Sequence, residues 1–231
     1  MIFPWQTTQW LQISAALQSE QLPHAMLLQG SEGLGKAAFA QALANAVLCQ
    51  RPEANHQACG KCQACRLIAA NTHPDLYCLQ PTAKENSKSS KPALSIRIEN
   101  IRSLCEKLNK TSQFGGYRVA IINKAEQLTM SAANSLLKTL EEPGQNVLLI
   151  LVSERPQRLP ITIRSRCQSL RMTIPDEADA LAWLQRNQKS RPVSPIATTF
   201  LSSARSVKYS IEKSSLSSAI GCMPADTEIF G

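Results

Sequence analysis

A glycine-rich turn set between an apolar run and an amphipathic segment constrains this chain more than any other stretch of it. Gly30-Ser-Glu-Gly-Leu-Gly-Lys36 fits the spacing G-x-x-x-x-G-K. Glycines at these places let backbone N–H groups close around phosphate oxygens, and the lysine reaches the outer ones. Before the turn, Ala25 to Gln29 reads as a short strand. After it, Ala37 to Leu48 carries Phe39, Leu43 and Val47 at i, i+4 and i+8, the period of a helix. Strand, turn and helix are the context such a loop requires. The competing reading is a purely structural turn, so Gly30, Gly33, Gly35 and Lys36 are taken as a nucleotide-binding site or its vestige.

Further strands are expected at Asp75–Leu79, Arg118–Ile122, Val147–Val152 and Gln168–Met172, each separated from the next by a helical or loop segment. Five strands alternating with helices predict an α/β fold with a parallel sheet. Ile98, Ile101, Cys105 and Leu108 fall on one helical stripe that can cover that sheet. A second helix follows Thr129, a candidate N-cap, with Ala133, Leu136, Leu137 and Leu140 on one face and Pro143-Gly144 as its stop. Pro81 to Pro92 carries three lysines and three serines with almost nothing apolar, and reads as a mobile loop. Lys189 to Gly231, with ten serines in 43 residues and no sustained period, reads as a weakly ordered tail. At 231 residues and 43% hydrophobic, the chain can bury one substantial core and part of a second. No apolar run approaches the roughly 18 residues of a membrane helix, and Met1 to Trp10 lacks a secretory start, so a cytoplasmic protein with no membrane partner is expected.

Two features weigh against hydrolysis at the glycine loop. Ala37 stands where the full motif has a Ser or Thr hydroxyl for Mg²⁺. The strand ending Ile121-Ile122-Asn123-Lys124-Ala125-Glu126 offers an amide and an ammonium where an acidic pair would hold the metal, and Glu126 comes two residues too late. No ATP turnover by the isolated chain is expected, and no intact catalytic centre of its own.

Cys49, Cys59, Cys62 and Cys65 follow the pattern C-x9-C-x2-C-x2-C just past the loop helix. Cytosolic thiols stay reduced, and four thiolates at this spacing satisfy tetrahedral Zn²⁺ in a closed, structural site. Unliganded thiols are the alternative, and His56 is a substitute ligand outside the tight spacing. Cys78, Cys105, Cys167 and Cys222 are dispersed and read as packing, as His24 and His73 read as structural histidines.

The formal charge of +8, from 25 basic and 17 acidic residues, favours a polyanionic neighbour or is a generic basic surface. Arg155, Arg158, Arg164, Arg166 and Arg171 form a run with no acidic residue among them, and guanidinium geometry suits phosphate.

Ala132-Ala-Asn-Ser-Leu-Leu-Lys-Thr-Leu-Glu-Glu-Pro143 and Leu159-Pro-Ile-Thr-Ile-Arg-Ser-Arg-Cys167 resemble the clamp-loader branch of the AAA+ ATPases, with Ser-Arg-Cys its signature. The four-cysteine insertion, Leu22-Pro-His-Ala25 and Thr72-His-Pro-Asp75 belong to the same resemblance, which covers about residues 1–188. It implies an AAA+ P-loop core over 1–170, the start of a small helical lid over 171–188, and a divergent tail in place of a helical collar over 189–231. Within that branch the motor subunits keep the acidic pair, whereas δ′-type subunits commonly lose it while retaining Ser-Arg-Cys, so Asn123-Lys124 points to the δ′ side. The resemblance further implies that Arg166 acts in trans on ATP held by a neighbouring motor (tau/gamma) subunit. Its other implied partners are the delta subunit and, through the complex, the sliding clamp and primed DNA of the DNA polymerase III holoenzyme. Ser153 lies near the family's first sensor position.

Two other readings compete. A working ATPase motor subunit is disfavoured by Asn123-Lys124 and Ala37, and a hydrolysis assay separates it. A zinc-dependent nucleic-acid-binding module is suggested by charge and cysteines, but aromatics make up only 5% of the chain, too few for stacking along a strand of bases.

Overall fold

Apolar runs buried on both faces dictate the architecture of this computed structural model, which describes residues 2–83 and 94–188. The expectations for most of Pro81–Pro92 and for Lys189–Gly231 lie outside those residues. The elements in chain order are α1 (Thr7–Gln18), β1 (Ala25–Gln29), α2 (Lys36–Leu48), α3 (Gln63–Ala69), β2 (Leu76–Leu79), β3 (Thr82–Ala83) and β4 (Leu94–Ser95). They continue with α4 (Ile98–Leu108), β5 (Arg118–Ile122), α5 (Met130–Glu141), β6 (Val147–Ser153), α6 (Ile161–Arg164), β7 (Gln168–Arg171) and α7 (Glu177–Gln188).

Five strands form one sheet in the order β2-β5-β6-β1-β7, with every pairing parallel. β3 and β4 pair separately as a two-residue antiparallel ladder. In β5 and β6 every residue is buried, as parallel strands covered on both faces require. Strand alternation then sorts the side chains. Ala25, Leu27, Ala120, Ile122, Leu149 and Leu151 face α4 and α5 through Ile101, Leu104, Leu108, Leu136 and Leu140. Met26, Leu28, Val119, Ile121, Leu148 and Ile150 face α1 and α2 through Trp10, Ile13, Phe39 and Leu43.

The strand and helix expectations fall on these elements within a residue or so at each end. Thr129 caps α5 as expected, its side chain accepting from Ala132 N at 3.2 Å. Buried charges pin the connections. Asp75, 2% exposed, accepts from Ser112 Oγ at 3.1 Å, Gln113 N at 3.1 Å and Phe114 N at 3.2 Å, which fixes the approach to β5. Arg118 donates to the carbonyls of Leu108, Lys110 and Gln145, joining the end of α4 to the turn before β6. β1, the strand that leads into the glycine loop, lies between β6 and β7, where the winding of the sheet reverses, and open parallel sheets bind ligands outside the strand ends at such a point.

Candidate functional site

The glycine loop leaves the carboxyl end of β1, and Lys36 is the first residue of α2. Its ammonium donates to Ser31 O at 2.6 Å, and the side chain is 5% exposed. The loop is also held from outside by the chain's first residues. Gln6 Nε2 donates to Leu34 O at 2.9 Å and to Gly35 O at 3.1 Å, and Trp5 Nε1 donates to Leu34 O at 3.2 Å. Gly35 is left-handed at φ 76°, and a Cβ there would lie 2.6 Å from Phe3 Cδ2 and closer still to Cε2. The Phe3 ring stacks on Trp5 at 4.9 Å and meets the edge of Trp183 from α7 at 5.1 Å. Gly30, Gly33, Gly35 and Lys36 therefore lie in one loop between β1 and α2, with one side of it covered by an aromatic cluster that no local sequence pattern signals.

β5, separated from β1 by β6, ends at Ile122, and Asn123-Lys124 follow it directly. Asn123 places a buried Oδ1 with no hydrogen-bond partner among the described residues. Lys124 turns into a left-handed conformation at φ 50° and is exposed rather than buried beside a metal position. Glu126 lies in the short turn Ala125–Gln127, and its Oε1 accepts from Glu154 N at 3.5 Å. Burial, with the Glu32 and Glu126 carboxylates nearby, pushes the Glu154 carboxyl above the usual range, while Lys36 and Lys124 pull against this. Glu154 thus feels both the loop lysine and Glu32, and sequence reasoning passed over both acids. Glu32 was visible inside the motif itself. Glu154 follows Ser153, which is fully buried at the end of β6 and whose Oγ accepts from Arg155 N at 3.2 Å.

The four cysteines of the insertion converge. Their sulfurs all lie within 4.8 Å of one another, with Cys49 to Cys59 at 3.6 Å and Cys49 to Cys62 at 3.9 Å. A tetrahedron with metal–sulfur bonds of about 2.3 Å has edges of about 3.8 Å, so the cluster is sized to hold a metal ion. Backbone N–H groups of Cys59, Lys61, Cys62 and Cys65 point at the sulfurs of Cys49, Cys59, Cys59 and Cys62 over 3.4–3.5 Å. Such donors favour thiolate. Burial alone would raise the Cys62 thiol, but N–H groups of Cys65 and Gln50 and the sulfurs of Cys65 and Cys59 outweigh it and bring it to about 6. His56 lies outside this group. Elsewhere Cys167 is buried and its thiol is pushed up to about 11 by desolvation, and Thr139 Oγ1 contacts Cys105 Sγ at 3.2 Å, so both behave as packing. Cys222 lies outside the described residues. His24 is paired with Leu140 O at 3.2 Å and His73 Nδ1 accepts from Asp75 N at 3.1 Å, both structural contacts.

Arg166 follows α6, whose Ile163 is fully buried in the core. Its Nη2 lies 2.7 Å from Glu141 Oε1, and its Nη1 donates to Thr162 O at 3.0 Å. The arginine run does find an anion, but the carboxylate comes from the end of α5 rather than from a ligand.

No helix among the described residues is long and apolar enough to cross a membrane. A family model described as DNA polymerase III, delta subunit, matches residues 5–176. DNA polymerase III subunit delta′ of Pseudomonas aeruginosa is 42% identical over 191 residues, covering 83% of this chain and 55% of that protein. Its counterpart in Escherichia coli is 38% identical over 184 residues, covering 80% and 52%. The chain spans about half the length of the curated relatives it matches. A crystal structure of a DNA polymerase III gamma subunit-related protein from Thermotoga maritima superposes with a TM-score of 0.53 at 20% identity, covering 79% of this chain and 52% of that one, a likeness of fold alone. With a five-stranded parallel α/β core, a four-cysteine cluster and relatives that share a name, the chain belongs to the family of DNA polymerase III subunit delta′.

Proposed function

We propose that this chain works as a delta′ subunit of the DNA polymerase III clamp loader, helping to load the sliding clamp on primed DNA by placing Arg166 against ATP bound to a neighbouring motor (tau/gamma) subunit. The delta subunit, the sliding clamp and primed DNA are its other partners through the complex. One observation carries the reading: Arg166 is held at the surface by Glu141 and Thr162 O, while the chain's own loop lacks the acids for magnesium at Asn123-Lys124. A guanidinium is permanently charged, so it can stabilise charge on a transferring phosphoryl group without a proton step. The relatives' shared name supports the assembly.

The glycine loop takes no part in chemistry on this reading. Lys36 is tied to Ser31 O, Ala37 has no hydroxyl, and Phe3, Trp5 and Gln6 cover the turn, so the loop serves as a structural vestige and not an ATPase site. The metal of the insertion is Zn²⁺, on the ground that four thiolates in a closed set suit it and leave no position for substrate. Residues 1–170 are the core, and α7 begins a helical lid.

Reconstitution with motor and delta subunits tests the proposal. Arg166→Ala should leave assembly intact and lower clamp- and DNA-stimulated turnover at the adjoining ATP site by about 10³ or more. Unchanged loading and turnover would remove the proposed role.

A further inference from the structure

The side chain proposed to work in trans already has a partner in its own subunit. Arg166 is fixed first through its backbone: Ser165 N donates to Ile161 O at 2.9 Å and Arg166 N to Ile163 O at 3.1 Å, closing the turn after α6. Ile163, Leu159 and Cys167 anchor that turn in the same core layer as Leu136 and Leu140 of α5. The packing of α5 against α6 therefore decides where Glu141, the last residue of α5, meets the guanidinium. The two side chains remain 36% and 49% exposed, so the pair sits at the surface. An arginine has five N–H donors. Among the described residues Glu141 Oε1 and Thr162 O each take one, and the exposed guanidinium remains open to an arriving anion.

We infer that Glu141 is a positioning residue for Arg166: it fixes the orientation of the guanidinium before a neighbour's phosphate arrives. Resting on the trans role of Arg166, this adds a residue and a direction of effect. A flexible arginine loses rotamer freedom on docking, and a guanidinium already oriented by a carboxylate and a carbonyl gives up less of it when a phosphoryl group engages. Glu141→Gln keeps the shape and one acceptor but removes the charge that holds Nη2.

The assay is ATP turnover by the reconstituted clamp loader with clamp and primed DNA, comparing wild type, Glu141→Gln, Arg166→Ala and the double variant. Glu141→Gln should lower kcat at the adjoining site by about fivefold, the scale of a partly exposed ion pair, with KM for ATP and the melting temperature nearly unchanged. In the Arg166→Ala background the same change should produce no further loss, because nothing is left to position. A residue that merely stabilised the fold would lower the melting temperature and add its effect to that of Arg166→Ala. If Glu141→Gln leaves kcat unchanged or raises it while Arg166→Ala is defective, the positioning role is overturned and the trans arginine stands. If Arg166→Ala is itself without effect, the trans reading fails and the inference fails with it.

Discussion

Gly35→Ala should be among the more damaging single-methyl additions to this chain. At φ 76° an L-residue is strained by about 1 kcal/mol. The new Cβ would also come within 2.6 Å of Phe3 Cδ2. The ring cannot simply step aside, because Phe3 is 3% exposed and wedged between Trp5 at 4.9 Å and Trp183 at 5.1 Å. Loss of a whole buried phenyl costs about 3–5 kcal/mol, and partial displacement forfeits a fraction of that. The total is about 2–4 kcal/mol, which for a domain of this size lowers the melting temperature by about 5–15 °C. Thermal unfolding followed by tryptophan fluorescence is the suitable assay, since Trp5 and Trp183 flank the displaced ring. The double variant Phe3→Ala/Gly35→Ala supplies the check: with no ring to move, its cost should fall short of the sum of the single changes by about 1–2 kcal/mol. Strict additivity, or a Gly35→Ala protein that melts within about 2 °C of wild type, would refute the reasoning.

Cys62→Ser should strip the metal from the purified chain, read by elemental analysis, and increase hydrogen exchange over residues 49–65 while leaving the sheet protected; full zinc retention would contradict a four-thiolate site. Asp75→Ala should cost about 3 kcal/mol in urea unfolding, because the N–H groups of Gln113 and Phe114 and the Ser112 hydroxyl lose a buried acceptor together. Glu154 carries a raised carboxyl pKa, so the folded protein holds its proton more tightly than the unfolded chain does; the stability this confers is complete at acid pH and disappears as pH rises through the folded value. Glu154→Gln should therefore raise the melting temperature at pH 7 and match wild type near pH 4, and an equal or lower melting temperature at pH 7 would count against it. The isolated chain should show no steady ATP hydrolysis, and turnover abolished by Lys36→Ala would reverse the reading of the glycine loop.

Most of the sheet was legible because parallel strands announce themselves as apolar runs: Arg118–Ile122 is observed as expected, and Val147–Val152 is extended only by Ser153. The cysteines were equally legible, since their spacing is local. α1 went unassigned, for its sequence mixes Thr, Gln and Ser with Trp10, Ile13 and Leu17, and the sheet and α2 supply the apolar surface that makes the pattern meaningful. Contacts made across the chain were invisible for a different reason. Gln6 reaches a carbonyl 28 residues away, and no periodicity encodes that meeting. The pairing of Arg166 with Glu141 likewise depends on how two helices pack, so the arginine run alone read as unsatisfied.

The place of β1 in the sheet has a bearing on how the chain is made. Among the described residues its partners are β6 and β7, so this strand leaves the ribosome and then waits for residues 147–153 before it gains a ladder bond in the sheet. At ordinary translation speeds that interval is on the order of 10 s, during which Met26, Leu27 and Leu28 have no sheet to join. The cysteines at 49–65, being close in sequence, need no such delay to gather around an ion. Nascent chains would then carry a finished thiolate knot next to an unpaired hydrophobic strand, the segment a holdase would be expected to shield.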